Sequence, residues 1–304
     1  MTETNDQQTK LTGIIFCIGS LLCWSGGPIF IKLLAGHIDL WTQNLLRYLV
    51  ACLFWLPFLV FVIVTKRFDH NIWRRALLPA GANVIMQSLW TAGFYYLDPG
   101  FMVLLSQTSV IWVAGFSIIF FYQERGLVRS GYFWLGLVLS AVGVAGVIFF
   151  KDDVFTQKTV IGILIVFASS FCWAIYTISA KIAFKEAGAC RGFSVVTIYT
   201  VLGLAILAGF FGDMGNCLTI GSEPWFYIVV SAILSIAIAH AFYYAAIRRI
   251  GAAIPAVVLL SLPFIVLAIS SVVFAERLNT LQWIFGAVLL TGAGLSICAQ
   301  NRLR

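Results

Sequence analysis

Two ten-residue stretches share a frame: CWSGGPIFIK, Cys23 to Lys32, and CWAIYTISAK, Cys172 to Lys181. In each a tryptophan follows the cysteine and a lysine stands eight residues further on, pairing Trp24 with Lys32 and Trp173 with Lys181. An indole deep in an apolar segment offers a ring face for stacking or for a cation, and an N–H that needs an acceptor. Other polar groups are embedded the same way. Asn83 and Gln87 are four residues apart and share a helical face, with Trp90 three further. Gln107 sits in another apolar run, Tyr176 follows Trp173, and His240 precedes Tyr243. His240 alone among these has an ordinary pKa near neutrality, so a structural bond and a proton or solute contact are equally open to it. Trp24, Asn83, Gln87, Trp90, Gln107, Trp173, Tyr176, His240 and Tyr243 therefore form a candidate lining for a small amphipathic molecule. The competing reading for each is packing or hydrogen bonding between helices.

Gly26, Gly27 and Pro28 follow Trp24 directly. Two glycines and a proline inside a helix remove a hydrogen bond and predict a break beside the lining. Lys32 and Lys181 stand at the ends of their segments, where a lysine stem reaches the headgroups or guards a pathway mouth. Arg47 lies within the second segment and is expected to pair with Asp39 or with carbonyls near the surface. Glu124 and Glu276 open two copies of the dipeptide Glu-Arg at segment ends and are expected to anchor loops.

These side chains need elements to hold them, and composition says which. The chain has 304 residues, 61% of them hydrophobic and 10% charged. Soluble domains carry roughly 25% charge, so this chain belongs in a bilayer. Ten apolar segments are expected, near 11–34, 40–65, 74–97, 100–122, 130–150, 159–184, 192–212, 225–247, 252–274 and 281–299. Each has about the 20 residues needed to cross 30 Å of hydrocarbon. With the N-terminus in the cytoplasm, the inner loops take Lys66, Arg67, Arg74, Arg75, Arg125, Arg129, Lys185, Arg191, Arg248 and Arg249. The outer loops take only Lys151, Lys158 and Arg277. That asymmetry puts both termini in the cytoplasm. The polar, signal-less start and short loops suit a bacterial inner cell membrane. The net charge of +7 is then a cytoplasmic-face excess, with no aromatic-basic patch for nucleic acid. His37, His70 and His240 are scattered and no HExxH occurs, so neither an enzyme nor a metal or other cofactor is expected.

The halves repeat. FYQERGLVRSGYFWLGLVLSAVGVAG (121–146) parallels FAERLNTLQWIFGAVLLTGAG (274–294), and FYYLDPGFMVLLS (94–106) has a counterpart in 242–261. Five spans per half are odd, so residues 1–150 and 151–304 would enter the membrane from opposite sides, an inverted repeat of the kind found in secondary transporters. The fold expected is thus all-α and integral to the membrane, with ten transmembrane helices in two inverted five-helix repeats. The residues Trp24, Lys32, RYLVA at 47–51, the two Glu-Arg pairs and LLSLPFIVLAISSVVFAERL make the chain resemble the drug/metabolite transporter superfamily, in particular its EamA-type members, over nearly its whole length. The second half carries Pro263 thirteen residues before Glu276 where the first has Ile111, so a straighter helix is expected in the first half.

The resemblance implies a transporter, and export is its implied direction. The aromatic lining suits amino acids, aromatic ones especially. Amines, nucleosides or sugars are the alternative, and a receptor or scaffold without translocation a more distant one. All twelve Asp and Glu fall outside span centres, so coupling rests on His240 or the protein is a facilitator. A small-molecule substrate and the lipid bilayer are the expected partners. The glycines of the fifth and tenth segments either pack these spans together or form a dimer seam, leaving monomer and homodimer equally open.

Overall fold

The computed structural model describes the backbone of residues 2–251 and 253–302; the side chains of residues 1–6, 123, 124, 216, 218, 252, 253 and 300–304 lie outside the described set. Every regular element among the described residues is helical. In order these are α1 (Thr2–Leu34), α2 (Leu40–Val64), α3 (Asn71–Arg75), α4 (Leu77–Tyr96), α5 (Pro99–Ser106), α6 (Ser109–Phe120), α7 (Gly131–Phe149), α8 (Gln157–Ala183) and α9 (Ala189–Phe211). There follow α10 (Ser222–Ser231), a π-helical segment (Ala232–Ile238), α11 (Ala239–Ile250), α12 (Ala253–Leu259), α13 (Leu262–Val273) and α14 (Thr280–Arg302). Two short 3₁₀ turns lie at Tyr122–Arg129 and Met214–Leu218.

Among the described residues nine helical stretches are long and apolar enough to cross a bilayer: Gln7–Leu34, Leu40–Val64, Pro99–Phe120, Gly131–Phe149, Gln157–Ala183, Ala189–Phe211, Ser222–Ile250, Ile254–Val273 and Thr280–Ala299. The stretch expected at 74–97 is missing from this set. It forms α4, whose 20 residues include Pro79, Asn83, Gln87, Ser88 and Thr91. These dilute its hydropathy, and α4 spends its length against α8 and α9.

The breaks fall elsewhere than expected. α1 runs through Gly26, Gly27 and Pro28 without interruption. A proline inside a membrane helix is tolerated where neighbours pack closely on it: Ser235 Oγ of the π-helical segment donates to the Cys23 carbonyl at 3.1 Å, one residue before the Trp24 carbonyl that Pro28 leaves without an amide. A Cβ on Gly27 would sit 3.1 Å from Ser235, so the glycine admits that segment. The helices that do break are the fourth and ninth of the expected segments. At Gln107–Thr108, between α5 and α6, amides bond three residues back, to Leu104 and Leu105 at 3.2 and 3.1 Å. At Leu260–Ser261, between α12 and α13, the same tight turn reaches Val257 and Val258 at 3.1 and 3.0 Å. The first-half helix is therefore interrupted although it lacks the proline, which corrects the expectation that it is straighter.

α7 and α14 form the most extensive helix pair. A Cβ on Gly143 would stand 2.4 Å from the Leu289 amide nitrogen, and one on Gly292 2.5 Å from that of Ser140. These glycines let two backbones touch within one chain, the first of the two readings the sequence left open. α1 packs on π-segment and α11, and α4 packs on α8.

One end of the molecule gathers Lys32, Asp98, Glu276 and the α7–α8 loop. Lys32 Nζ donates to the Leu97 carbonyl at 2.9 Å and lies 3.6 Å from Asp98. Glu276, 7% exposed, accepts from the Gly100 and Phe101 amides at 2.8 and 2.7 Å and from the Ser270 hydroxyl. Ala275 before it takes a positive φ of 56°, a turn that swings the carboxylate onto the start of α5. Here α5 packs on α13, whereas their repeat-mates at the other end, α12 and α6, share no comparable contact. Glu124, the sequence counterpart of Glu276, has its side chain outside the described residues.

Candidate functional site

The polar and aromatic residues converge where α1, α8, α9 and α11 meet. Trp24 of α1 meets His240 edge-on, centroids 5.1 Å apart at 90°, and Tyr243 at 5.0 Å. His240 stacks on Phe193 of α9 at 4.2 Å and 14°. Tyr244 closes the group, 6.0 Å from His240 and beside Tyr176 of α8. The rings of Trp24, His240, Tyr243 and Tyr244 are half-buried.

His240 owes its orientation to the π-helical segment. That wider turn bonds the Ala239 amide to Leu234, five residues back. Wide turns of this kind recur at functional positions. His240 Nδ1 lies 2.7 Å from the Ile236 carbonyl. A carbonyl only accepts, so we assign the proton to Nδ1, leaving Nε2 as an acceptor.

A polar wing extends from the rings. Asn83 Nδ2 donates to Thr200 Oγ1 at 2.9 Å and to the Tyr48 hydroxyl at 3.4 Å. Gln87 lies beside the same tyrosine, and Tyr48 lies near Tyr176. Trp24, Asn83, Gln87, Tyr176, His240 and Tyr243 are thus brought into one chain of contacts.

The remaining expected residues fall elsewhere. Trp90 packs on Phe94, centroids 5.1 Å apart, against the core around α5. Gln107 sits in the α5–α6 turn, its Nε2 3.4 Å from the Val103 carbonyl. Trp173 reaches Tyr176 at 5.7 Å but is 36% exposed, and it does not join Trp24 in the ring cluster. The reason is packing: α1 lies on α11 and α8 on α4, so equivalent tryptophans face different neighbours. Lys181 Nζ stands 3.8 Å over the Phe121 ring. Arg47 does not pair with Asp39; its Nε donates to Ser231 Oγ at 2.9 Å. Asp39 instead caps α2 through the Trp41 and Thr42 amides and accepts from Asp213 N–H at 3.0 Å. Burial works against its charge, but the hydrogen bonds of Thr42, Asp213 and Trp41 outweigh it and hold the carboxyl below the usual range.

Sequence reasoning missed Tyr48, Phe193, Thr200 and Tyr244. Tyr48 stands beside Arg47 and Tyr244 beside Tyr243, which are usable signals; Phe193 and Thr200 have none. A separate apolar groove of about 520 Å³ lies between α4, α6 and α8, lined by Leu78, Phe116, Phe120, Ile178 and Ile182 with Arg75 among its walls. It contains none of the expected lining residues. Among the described residues no three His, Cys, Asp or Glu side chains are grouped to hold a metal.

A solved crystal structure superposes with a TM-score of 0.66 at 13% identity, covering 94% of this chain and 97% of that one, which shows a shared fold. An uncharacterized transporter of Archaeoglobus fulgidus is 22% identical over 293 residues, 93% of this chain and 96% of its own length. The profile of the EamA-like transporter family matches twice, over residues 11–149 and 160–298. Those two matches take in α1 through α7 and nearly all of α8 through α14, and with them every residue of the aromatic cluster: this is a multi-pass membrane protein of the EamA-like transporter family.

Proposed function

We propose that the protein is a secondary transporter of small amphipathic metabolites, working by alternating access in a bacterial inner cell membrane. In this reading α4 is the tenth span, the halves are inverted five-helix repeats, and both termini face the cytoplasm. The observation that carries it is the ring cluster itself. Trp24 comes from the first repeat and His240 and Tyr243 from the second, so a solute held there touches both halves, as a midplane site between repeats requires. The interruptions at 107–108 and 260–261, in corresponding helices, support the same reading.

Aromatic faces, the His240 Nε2 acceptor and the carboxamides of Asn83 and Gln87 suit an amino acid with an apolar side chain. Export as the direction follows the family resemblance. Amines are the second reading: among the described residues no carboxylate contacts the rings of the cluster, and ring faces hold cations without one. The test is counterflow in proteoliposomes loaded with unlabelled amino acids, following labelled tryptophan, phenylalanine and threonine beside a sugar. Accumulation of one amino acid, competed by its analogues, is expected. Exclusion of all by folded, oriented protein would refute the amino-acid reading, and amines would be screened next.

A further inference from the structure

Arg47 is a buried cation without a countercharge. It is 3% exposed and lies seven residues into α2, about 10 Å from its start at 1.5 Å per residue. Among the described residues no carboxylate comes within ion-pair distance of it, and its recorded electrostatic neighbour is the Tyr48 hydroxyl. Nε is used by Ser231. Nη1 has no hydrogen-bond partner. One turn earlier on the same face, Asn44 is 0% exposed, and neither its Oδ1 nor its Nδ2 has a partner. A lone buried charge is among the costliest arrangements a membrane helix can hold, and an unmet buried carboxamide adds to it.

We infer that Arg47, Asn44 and Ser231 form a monoanion site between α2 and α10, for a halide or a small carboxylate. Nη1–H of Arg47 and Nδ2–H of Asn44 supply two donors that a single-atom or two-oxygen anion can accept together. Ser231 is already committed: its Oγ accepts from Nε and donates to the Ile228 carbonyl at 3.1 Å, which fixes the guanidinium plane. The site stands on α2 about 10 Å along the helix from the end that Asp39 caps. The anion then serves the fold, whatever solute crosses the membrane.

The test is thermal unfolding of the purified full chain in detergent at one ionic strength, in sodium chloride, bromide, acetate or gluconate. Gluconate, a bulky hydroxylated anion, is the reference. A midpoint that rises with halide concentration and saturates is expected, and the acetate arm separates an inorganic ion from a carboxylate. Arg47→Met should lose the dependence. If it fails to fold, Asn44→Leu keeps the cation, removes the second donor and should weaken the apparent halide affinity about tenfold, the size of one charge-assisted hydrogen bond. Equal midpoints in all four salts, or a salt dependence that survives in both variants, would overturn the assignment. Because no flux is measured, its failure is distinct from failure of the transport reading.

Discussion

The role given to His240 can be separated into parts by two substitutions. The side chain does three things: its ring stacks on Phe193 and meets Trp24, its Nδ1–H holds the Ile236 carbonyl, and its Nε2 is left as an acceptor. His240→Phe keeps a planar ring and removes both nitrogens. His240→Asn places an amide N–H near the position of Nδ1 but removes the ring. Neither restores Nε2. In the Phe variant the Ile236 carbonyl loses its partner, a cost of about 1–3 kcal/mol. In the Asn variant two ring contacts go, each about 0.5–1.5 kcal/mol, so the loss of stability is similar, about 1–3 kcal/mol. Flux should fall in both, because a solute donor left unpaired costs about 1–3 kcal/mol, or about 5- to 150-fold in rate. The assay is the initial rate of counterflow, normalised to reconstituted protein, beside thermal unfolding in the same detergent. Wild-type flux in His240→Phe would show that only the ring matters; wild-type flux in His240→Asn would show that only the carbonyl bond does. Either result refutes the acceptor role.

Other outcomes follow from the same geometry. Trp24→Ala removes contacts to both His240 and Tyr243, about 1–3 kcal/mol, and should abolish most flux, whereas Trp173→Ala, with a third of its ring already exposed, should cost less than about 1 kcal/mol and leave more activity. Gly143→Ala brings a Cβ within 2.4 Å of backbone on α14 that cannot rotate away; a loss of about 1–3 kcal/mol in thermal unfolding is expected, with no change of oligomeric state by size-exclusion chromatography. Asp39→Asn weakens a helix cap and the Asp213 tether, costing about 1 kcal/mol at neutral pH. Because the folded carboxyl titrates below its unfolded value, that contribution is complete above the ordinary carboxylate range and is lost as pH falls from there through the lower folded value, so the wild-type and Asn proteins should converge in stability only at pH below the ordinary carboxylate range.

Most of the helices were legible in the sequence because a bilayer demands long apolar runs, and the Glu-Arg pairs marked the repeat. α4 was located but proved too polar to stand out by hydropathy, since Asn83 is bonded to Tyr48 and Thr200 and Gln87 lies beside Tyr48 rather than facing lipid. The helix breaks were misplaced for a related reason. Pro28 looks like a break, yet the helix runs on through it, with Ser235 of the π-helical segment packed beside Gly27; Gln107 carries no such mark, and the chain turns tightly there. The site was half legible. Depth in the span singled out Trp24 and His240, but no spacing rule says that α1 lies against α11, and so none could replace Trp173 by Phe193 as the further ring.

The Glu276 cap has a mechanical consequence. The carboxylate belongs to the second repeat and the two amides to the first, so the cap is a clasp across the seam between them. Parting α5 from α13 breaks both bonds together, and each hydrogen bond to a charged group contributes about 1.5–3 kcal/mol. The clasp alone would make opening at that end roughly 10²- to 10⁴-fold rarer than in a chain without it. Gly100 allows this, since a Cβ there would stand 2.6 Å from Leu267 and 3.0 Å from the carboxylate. In the alternating-access reading proposed above, this is the side that rests closed, and it opens only as readily as water can take over two backbone amides.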